Sequence, residues 1–300
     1  GIDAVYHLAA AVGVGQSMYD VENYTSVNNL GTAVLLQELM ENPVEKLIVA
    51  SSMSVYGEGN YLSEKGVEYA NARRSLADLK QARWEPTDEE GGILIPQKTK
   101  EDKPPSLMSV YALSKYDQER LCLMIGEAYG IPVVGLRFFN VYGSRQALSN
   151  PYTGVLAIFA SRYLNQRPPL IFEDGFQMRD FVSVFDVAYA CRLALEKSEA
   201  DGMVLNIGSG EPRSVMEIAD MMGRVLGRET IRPQITGKYR VGDIRHCFAD
   251  IALAQSVLGY QPRIEMAQGL HALSDWLSTQ FSTDRVEEAA AELSARGLTI

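Results

Sequence analysis

Three short apolar runs, set apart by long helical stretches, constrain this chain more than any other feature. Ala4-Val5-Tyr6-His7-Leu8 stops at Ala9-Ala10-Ala11 and reads as a buried strand entering a turn of small residues. Apolar residues at helical spacing, through Val34, Leu35 and Leu39, predict a helix from about 21 to 40, which Pro43 ends. Lys46-Leu47-Ile48-Val49-Ala50 is the next strand. A helix over about 111–129 follows, with Gly130 placed to close it, and 133–139 is the third strand. Strands joined by helices of this length run parallel through right-handed crossovers, because a tight hairpin turn cannot join them. The expected class is α/β.

Two stretches depart from that rhythm. Residues 58–107 are rich in charge, Gly and Pro and include Trp84-Glu85-Pro86 and Lys103-Pro104-Pro105. Such a length is unusual for a connection in a compact domain, so a partly helical, inserted lid is expected, with a surface loop of no role as the alternative. After Gly143 the pattern changes to helices at about 154–165 and 214–227 among short strands, as in a smaller second lobe. Ser214-Val215-Met216-Glu217 is a capping-box start for the second of these helices. The run 181–188 is expected to return the chain to the first lobe, and the tail from about 285 to 298 reads as one Ala/Glu-rich helix.

Charge and cysteines narrow the function. With 28 basic and 38 acidic residues the net charge is −10, which argues against nucleic acid held on a general basic surface. A few focused arginines could still grip a phosphorylated ligand. Cys122, Cys191 and Cys247 are scattered and read as buried thiols of a cytoplasmic protein. His7, His246 and His271 have no helical pair spacing, so no metal site is expected. No apolar run reaches the ~18 residues of a membrane span.

Five motifs carry chemistry. In Tyr111-Ala112-Leu113-Ser114-Lys115 the Tyr and Lys share one helix face, where an ammonium would favour the phenolate and make Tyr111 an acid/base near neutral pH. Ser51-Ser52-Met53-Ser54 puts hydroxyls just past the carboxyl end of a buried parallel strand, where such sheets bind ligands. Phe139-Asn140 lies at the same sheet edge. Arg179-Asp180-Phe181-Val182 and Arg240-Val241-Gly242-Asp243 supply guanidinium groups suited to two parallel hydrogen bonds with a diphosphate. Each alone is commonly a surface feature.

In this order the five resemble the extended short-chain dehydrogenase/reductase family, particularly its nucleotide-sugar epimerases and dehydratases. The likeness covers nearly the whole chain apart from 58–107. It includes His7-Leu8-Ala9-Ala10, Asn28 before Gly31-Thr32, Asn206-Ile207-Gly208-Ser209-Gly210 and Leu258-Gly259-Tyr260-Gln261-Pro262. The resemblance implies a Rossmann-like doubly wound parallel sheet, incomplete at its N-terminus, with a smaller α/β substrate lobe. It places NAD binding in 1–143 and nucleotide-sugar binding mainly in 144–300, with about 176–200 returning to the first domain. By similarity Tyr111 is the base, Lys115 holds the nicotinamide ribose, and Ser52 bonds the sugar oxygen that loses its proton. Leu8, Ala9, Ala10, Asn28, Ser51 and Phe139 would line the cofactor. Met53, Ser54, Asn140, Arg179, Arg240 and Asp243 would hold the nucleotide-diphosphate sugar, with Gly13-Val14-Gly15-Gln16-Ser17 beside it.

The family opens with a strand, a glycine-rich turn and a helix N-terminus that takes the cofactor pyrophosphate. Gly13-Val14-Gly15 does not supply that turn. About two βα units, on the order of 60 residues, are therefore expected ahead of Gly1, and weak NAD binding is expected of the chain as it stands. Family dehydratases carry an Asp-Glu pair where Met53 and Ser54 stand, and neither a thioether nor an alcohol can do that proton work. The resemblance thus implies 4-epimerisation, with the dTDP-L-rhamnose 4-epimerases nearest through residues 143–155 and Trp84-Glu85-Pro86. UDP-glucose or UDP-glucuronate epimerisation, 4,6-dehydration of dTDP-glucose and a non-catalytic sensor stay open. A homodimer through two helices of the first lobe is also implied.

Overall fold

A computed structural model describes residues 1–146, 154–240, 243–279 and 286–299, the stretch 286–290 by backbone alone. Strands Ala4–His7, Lys46–Ser52, Val133–Phe138 and Val204–Ile207 form one sheet in that spatial order, every pairing parallel. Every residue of Lys46–Ser52 is buried, as a strand covered on both faces requires. Its side chains alternate between two cores. Leu47 and Val49 meet Leu36, Leu39 and Cys122 on one face. Ile48 joins Val134, Leu136, Ala190 and Ala194 on the other. Buried Lys46 pairs with Asp201 at 2.5 Å and donates to the Lys197 carbonyl at 2.7 Å. The three cysteines are free and buried, as their sequence setting implied.

The Val110–Tyr129 helix ends at Gly130 in the left-handed region, φ +70°, as expected. It approaches the sheet closely: a Cβ on Gly126 would sit 2.3 Å from Val133 Cγ2. The helix expected over about 21–40 is observed as Val21–Tyr24, a π-helical stretch Thr25–Leu30, and Gly31–Glu41. The Val184–Glu196 helix packs on the Lys46–Ser52 and Val133–Phe138 strands.

A second sheet joins Met178–Ser183 to Asn140–Tyr142, Pro212–Ser214 and His246–Cys247. A separate core under it gathers Phe159, Tyr163, Ile218, Met222 and Leu273. The Ser214/Glu217 capping box starts Val215–Val225 with bonds of 3.1 and 2.7 Å. The expected tail helix is described over Val286–Ala295.

Residues 58–107 differ from the expectation. One short helix, Leu76–Lys80, accompanies a three-stranded sheet of Asn60–Leu62, Glu68–Tyr69 and Ile95–Gln97. Tyr61 and Leu94, each 1% exposed, form its small core. Short strand pairings and ion pairs hold it, which length and composition alone do not reveal.

Candidate active site

The carboxyl ends of Lys46–Ser52 and Val133–Phe138, the start of the Val110–Tyr129 helix and the second lobe enclose a cavity of about 950 Å³. Ser52, Met53, Ser54, Tyr111, Lys115, Phe139, Asn140, Arg179, Arg240 and Asp243 all line it, with Leu8 and Ala10. Residues spread over more than two hundred positions thus converge on one space. Ligands sit at this edge of a parallel sheet because the strand ends and the following loops leave a crevice there.

Ser52 caps the short turn Met53–Tyr56, and its Oγ accepts from Ser54 N at 3.2 Å and Ser54 Oγ at 2.9 Å. Both lone pairs are then used, leaving its own hydrogen for a further acceptor. The Tyr111 phenol lines the same cavity, its pKa raised by burial and drawn back by the neighbouring Ser52 hydroxyl. Tyr24 meets the Tyr111 ring edge-on at 6.4 Å. The backbone N–H of Tyr111 donates to Ser17 Oγ at 3.0 Å, which pins the Val14–Ser17 turn beside the site.

Lys115 corrects one expectation. It does not lower the Tyr111 pKa below the usual tyrosine value, because loss of hydration outweighs every favourable contact there. The Lys115 ammonium is 3% exposed, and burial pushes its own pKa down to about 8. Its acceptor among the described residues is Gln118 Oε1 at 2.7 Å. Gln118 in turn donates to Thr32 Oγ1 at 2.8 Å, and His7 Nε2 lies 2.8 Å from that hydroxyl. A buried ammonium with one protein acceptor at a cavity wall suits a ligand carrying vicinal hydroxyls, such as a ribose.

The ammonium is present below pH about 8 and lost above it. We therefore expect kcat/KM to fall on the alkaline side with an apparent pKa near 8, and Lys115→Arg to move that limb upward. A wild-type profile flat from about pH 7 to about pH 9 would remove Lys115 from the chemistry.

Two cofactor-wall assignments, Asn28 and Ala9, need correction. Asn28 is fully buried and outside the lining; its side chain bonds Ala11 N at 2.7 Å, Ala11 O at 3.1 Å and Ser114 Oγ at 2.8 Å. It ties the turn after the first strand to the Tyr111 helix. Ala9 is also outside the lining, its carbonyl accepting from Gln118. Ser51 touches the cavity, but its hydroxyl turns to Glu119 Oε2 at 2.6 Å. These hydroxyls and amides meet helices distant in sequence, so nothing in the local pattern could reveal it.

The second lobe supplies the polar end. Arg179 donates to the carbonyls of Met178, Arg245 and Ile244, at 2.9, 2.8 and 2.6 Å, with Asp243 at 3.6 Å. Arg240 lies 4.4 Å over the Phe172 ring, and its Nε has no hydrogen-bond partner. Asn140 Oδ1 and Gln146 Oε1, both in cavity-lining residues, are likewise buried and unpaired. Orphaned polar atoms cost free energy unless a ligand or water satisfies them, so this end suits a polar ligand. Val241, Gly242 and residues 147–153 of the motifs noted above lie outside the described residues.

Two features escaped the sequence reading. No residue from 58 to 107 lines the cavity among the described residues, so the insert is not its lid. Leu293 and Leu298 of the tail line it instead, while Arg296 stacks 4.0 Å over Tyr19. An Ala/Glu-rich helix gives no sign of that destination. Among the described residues there is no metal-competent cluster and no helix long and apolar enough to cross a membrane.

Comparison with known proteins gives the same picture. Residues 1–77 and 86–208 match the model of the NAD dependent epimerase/dehydratase family. The chain is 32% identical over 280 residues to a dTDP-L-rhamnose 4-epimerase of Burkholderia thailandensis, covering 93% of this chain and 76% of that protein. A UDP-glucose 4-epimerase of Thermotoga maritima, solved with UDP-glucose, superposes with a TM-score of 0.76 at 29% identity, covering 92% of this chain and 77% of that one. A UDP-glucuronic acid 4-epimerase of Bacillus cereus, solved with UDP-glucuronic acid and NAD, gives 0.75 at 29% identity, covering 93% and 76%. With its parallel sheet, its Tyr111–Lys115 helix and this match over most of its length, the chain belongs to the NAD dependent epimerase/dehydratase family, and its cofactor is NAD.

Proposed function

We propose that this protein is a nucleotide-sugar 4-epimerase that interconverts dTDP-L-rhamnose and dTDP-6-deoxy-L-talose. The observation that carries the reading is the meeting of Ser52, Tyr111 and Lys115 in one cavity with Arg179 and Arg240, with Met53 and Ser54 also in its lining. When bound, NAD would supply reversible hydride acceptance at the sugar carbon. Ser52 donates to the C4 oxygen and orients it. Tyr111 removes the proton of that hydroxyl, and returns one after the 4-keto sugar has turned over. Lys115 holds the ribose hydroxyls and, while charged, favours the phenolate. Leu8, Ala10 and Phe139 form apolar walls for the cofactor ring. Asn140, Arg179, Arg240 and Asp243 hold the nucleotide diphosphate.

Elimination of water would need a second acid and base. Met53 is a buried thioether, and Ser54 spends its hydroxyl on Ser52. That disfavours the 4,6-dehydratase reading. The retained Tyr111, Lys115 and Ser52 disfavour a non-catalytic sensor. The rhamnose assignment draws on the Burkholderia relative and on an apolar Met53 that suits a deoxy sugar. UDP-glucose or UDP-glucuronate is the second reading, drawn from the substrates named for the Thermotoga and Bacillus structures.

The same proposal assigns cofactor binding to 1–143 and nucleotide-sugar binding mainly to 144–300, with about 176–200 returning to the first domain. It places the enzyme in the cytoplasm as a homodimer. Exposed Leu30 and Val34, with Leu113 and Met124 on the neighbouring Tyr111 helix, are the apolar surface that supports dimerisation.

The test is incubation with dTDP-L-rhamnose, UDP-glucose, UDP-glucuronate and dTDP-glucose, each with NAD added and followed by chromatography of the products. Formation of dTDP-6-deoxy-L-talose without an accumulating keto sugar is expected. A 4-keto-6-deoxy sugar accumulating from dTDP-glucose would overturn the reading in favour of dehydration, and no turnover of any sugar would favour a sensor. Arg240→Ala should raise KM by about 10–100-fold and change kcat little, the effect of one lost charge-assisted hydrogen bond to phosphate. An unchanged KM would take Arg240 out of the substrate site.

A further inference from the structure

The insert 58–107 and its Trp84-Glu85-Pro86 motif have no part in the chemistry above, yet they grip the polar end of the cavity from behind. Arg74 donates to the Asp243 carbonyl at 2.8 Å and to Glu173 Oε1 at 2.6 Å. Glu85 holds Arg245 at 2.5 and 2.9 Å and His246 Nε2 at 2.8 Å. Glu58 accepts from the backbone N–H groups of Arg245 and His246, at 2.7 and 3.2 Å. The Trp84 ring lies 6.2 Å from that of Tyr239, next to Arg240.

These contacts end on the groups that orient the cavity arginines. Arg245, 1% exposed, presents to Arg179 its own carbonyl and follows that of Ile244. Glu173 pairs with both Arg74 and Arg245, and its backbone N–H donates to the Lys238 carbonyl at 2.8 Å, two residues before Arg240. Glu173 holds φ +54°, a conformation that an L-residue keeps only when its surroundings over-determine it. A surface loop of no role would gain nothing from burying this many charges. Their desolvation is costly, and a fixed geometry is what such a network can provide in return.

We propose that the insert is a brace for the diphosphate-binding arm, with Arg74 and Glu85 as positioning residues that hold Arg179 and Arg240 ready for the two phosphates of the nucleotide sugar. The inference rests on the reading of Arg179 and Arg240 as the diphosphate grip. Preorganisation of this kind raises affinity by removing the cost of ordering the arm on binding. It acts on KM rather than on the proton transfer at Tyr111.

The experiment is isothermal titration of UDP and dTDP, with UMP as the probe lacking the second phosphate, into wild type, Glu85→Gln, Arg74→Gln and Trp84→Leu. Trp84→Leu breaks no ion pair and keeps the test open if a charge variant fails to fold. Expected is a roughly tenfold rise in diphosphate Kd for Glu85→Gln and Arg74→Gln and about threefold for Trp84→Leu, UMP affinity and kcat staying within about twofold. Equal losses for UMP and the diphosphates, or no loss for either, would overturn the brace. Arg240→Ala separates the two ideas. If it leaves UDP and dTDP binding unchanged, the diphosphate grip itself is wrong. If it weakens them while the three insert variants do not, the brace alone fails.

Discussion

Tyr111→Phe should lower turnover by about 10³-fold while leaving nucleotide-sugar affinity within about threefold, the size of effect expected when a positioned acid/base is deleted from a proton transfer. The substitution removes one oxygen and keeps the ring that meets Tyr24. The phenol is raised by burial, so it is protonated at neutral pH before any ligand arrives. Its acidity must come from Ser52, from the charge on Lys115 and from the bound reactants together. Ser52→Ala should therefore lower kcat in the same direction. Single-turnover rates with matched substrate saturation would check the pair, and wild-type turnover in Tyr111→Phe would end the proposed role.

Arg137→Met should cost about 3–5 kcal/mol of stability, seen as a fall of roughly 5–8 °C in the thermal midpoint. Arg137 reaches from the third strand to Glu119 with bonds of 2.9 and 2.7 Å, and Glu119 is 0% exposed. Removing the guanidinium leaves a carboxylate under the sheet with Ser51 as its remaining hydrogen-bond donor. It also strips Tyr56 of the donor at 2.8 Å that fixes its bond to Asn206. The paired change Arg137→Met with Glu119→Leu should recover most of the loss, because a buried pair is roughly offset by its own desolvation. Circular dichroism melts of the single and double variants test this. A double variant no better than the single would mean that the pair supplies net stability rather than balancing its cost.

The sequence made the sheet and the chemistry visible for the same reason. Strand runs such as Leu47-Ile48-Val49 are buried on both faces, and their apolar signal is unbroken. Tyr111 and Lys115 lie four apart on one helix, a spacing that needs no tertiary information. Asn28, Ser51 and Lys115 show where that kind of legibility stops. The partners of Asn28 are Ala11 and Ser114, and that of Ser51 is Glu119; neither pairing follows from spacing. In the protein without its ligands the acidifying effect expected of Lys115 is outweighed, because burial penalises a phenolate and an ammonium alike, and burial is a property of the folded cavity. The insert was judged by its length and position, which suggested a cover. Its charged residues had partners in Glu173, Asp243, Arg245 and His246, far along the chain.

The stretch Thr25–Leu30 has a consequence for how the chain can vary. A π-helical turn accommodates an additional residue, and each residue of a helix advances the facing direction by about 100°. Such a turn tolerates a change of count. Drop one position there and the stretch can close to an ordinary α-helical turn, with Thr32 still toward His7 and Leu36 and Leu39 still toward the first and second strands. Add a further position and the count overruns what one wide turn absorbs, so the rest of the helix is turned by about 100° away from what it covers.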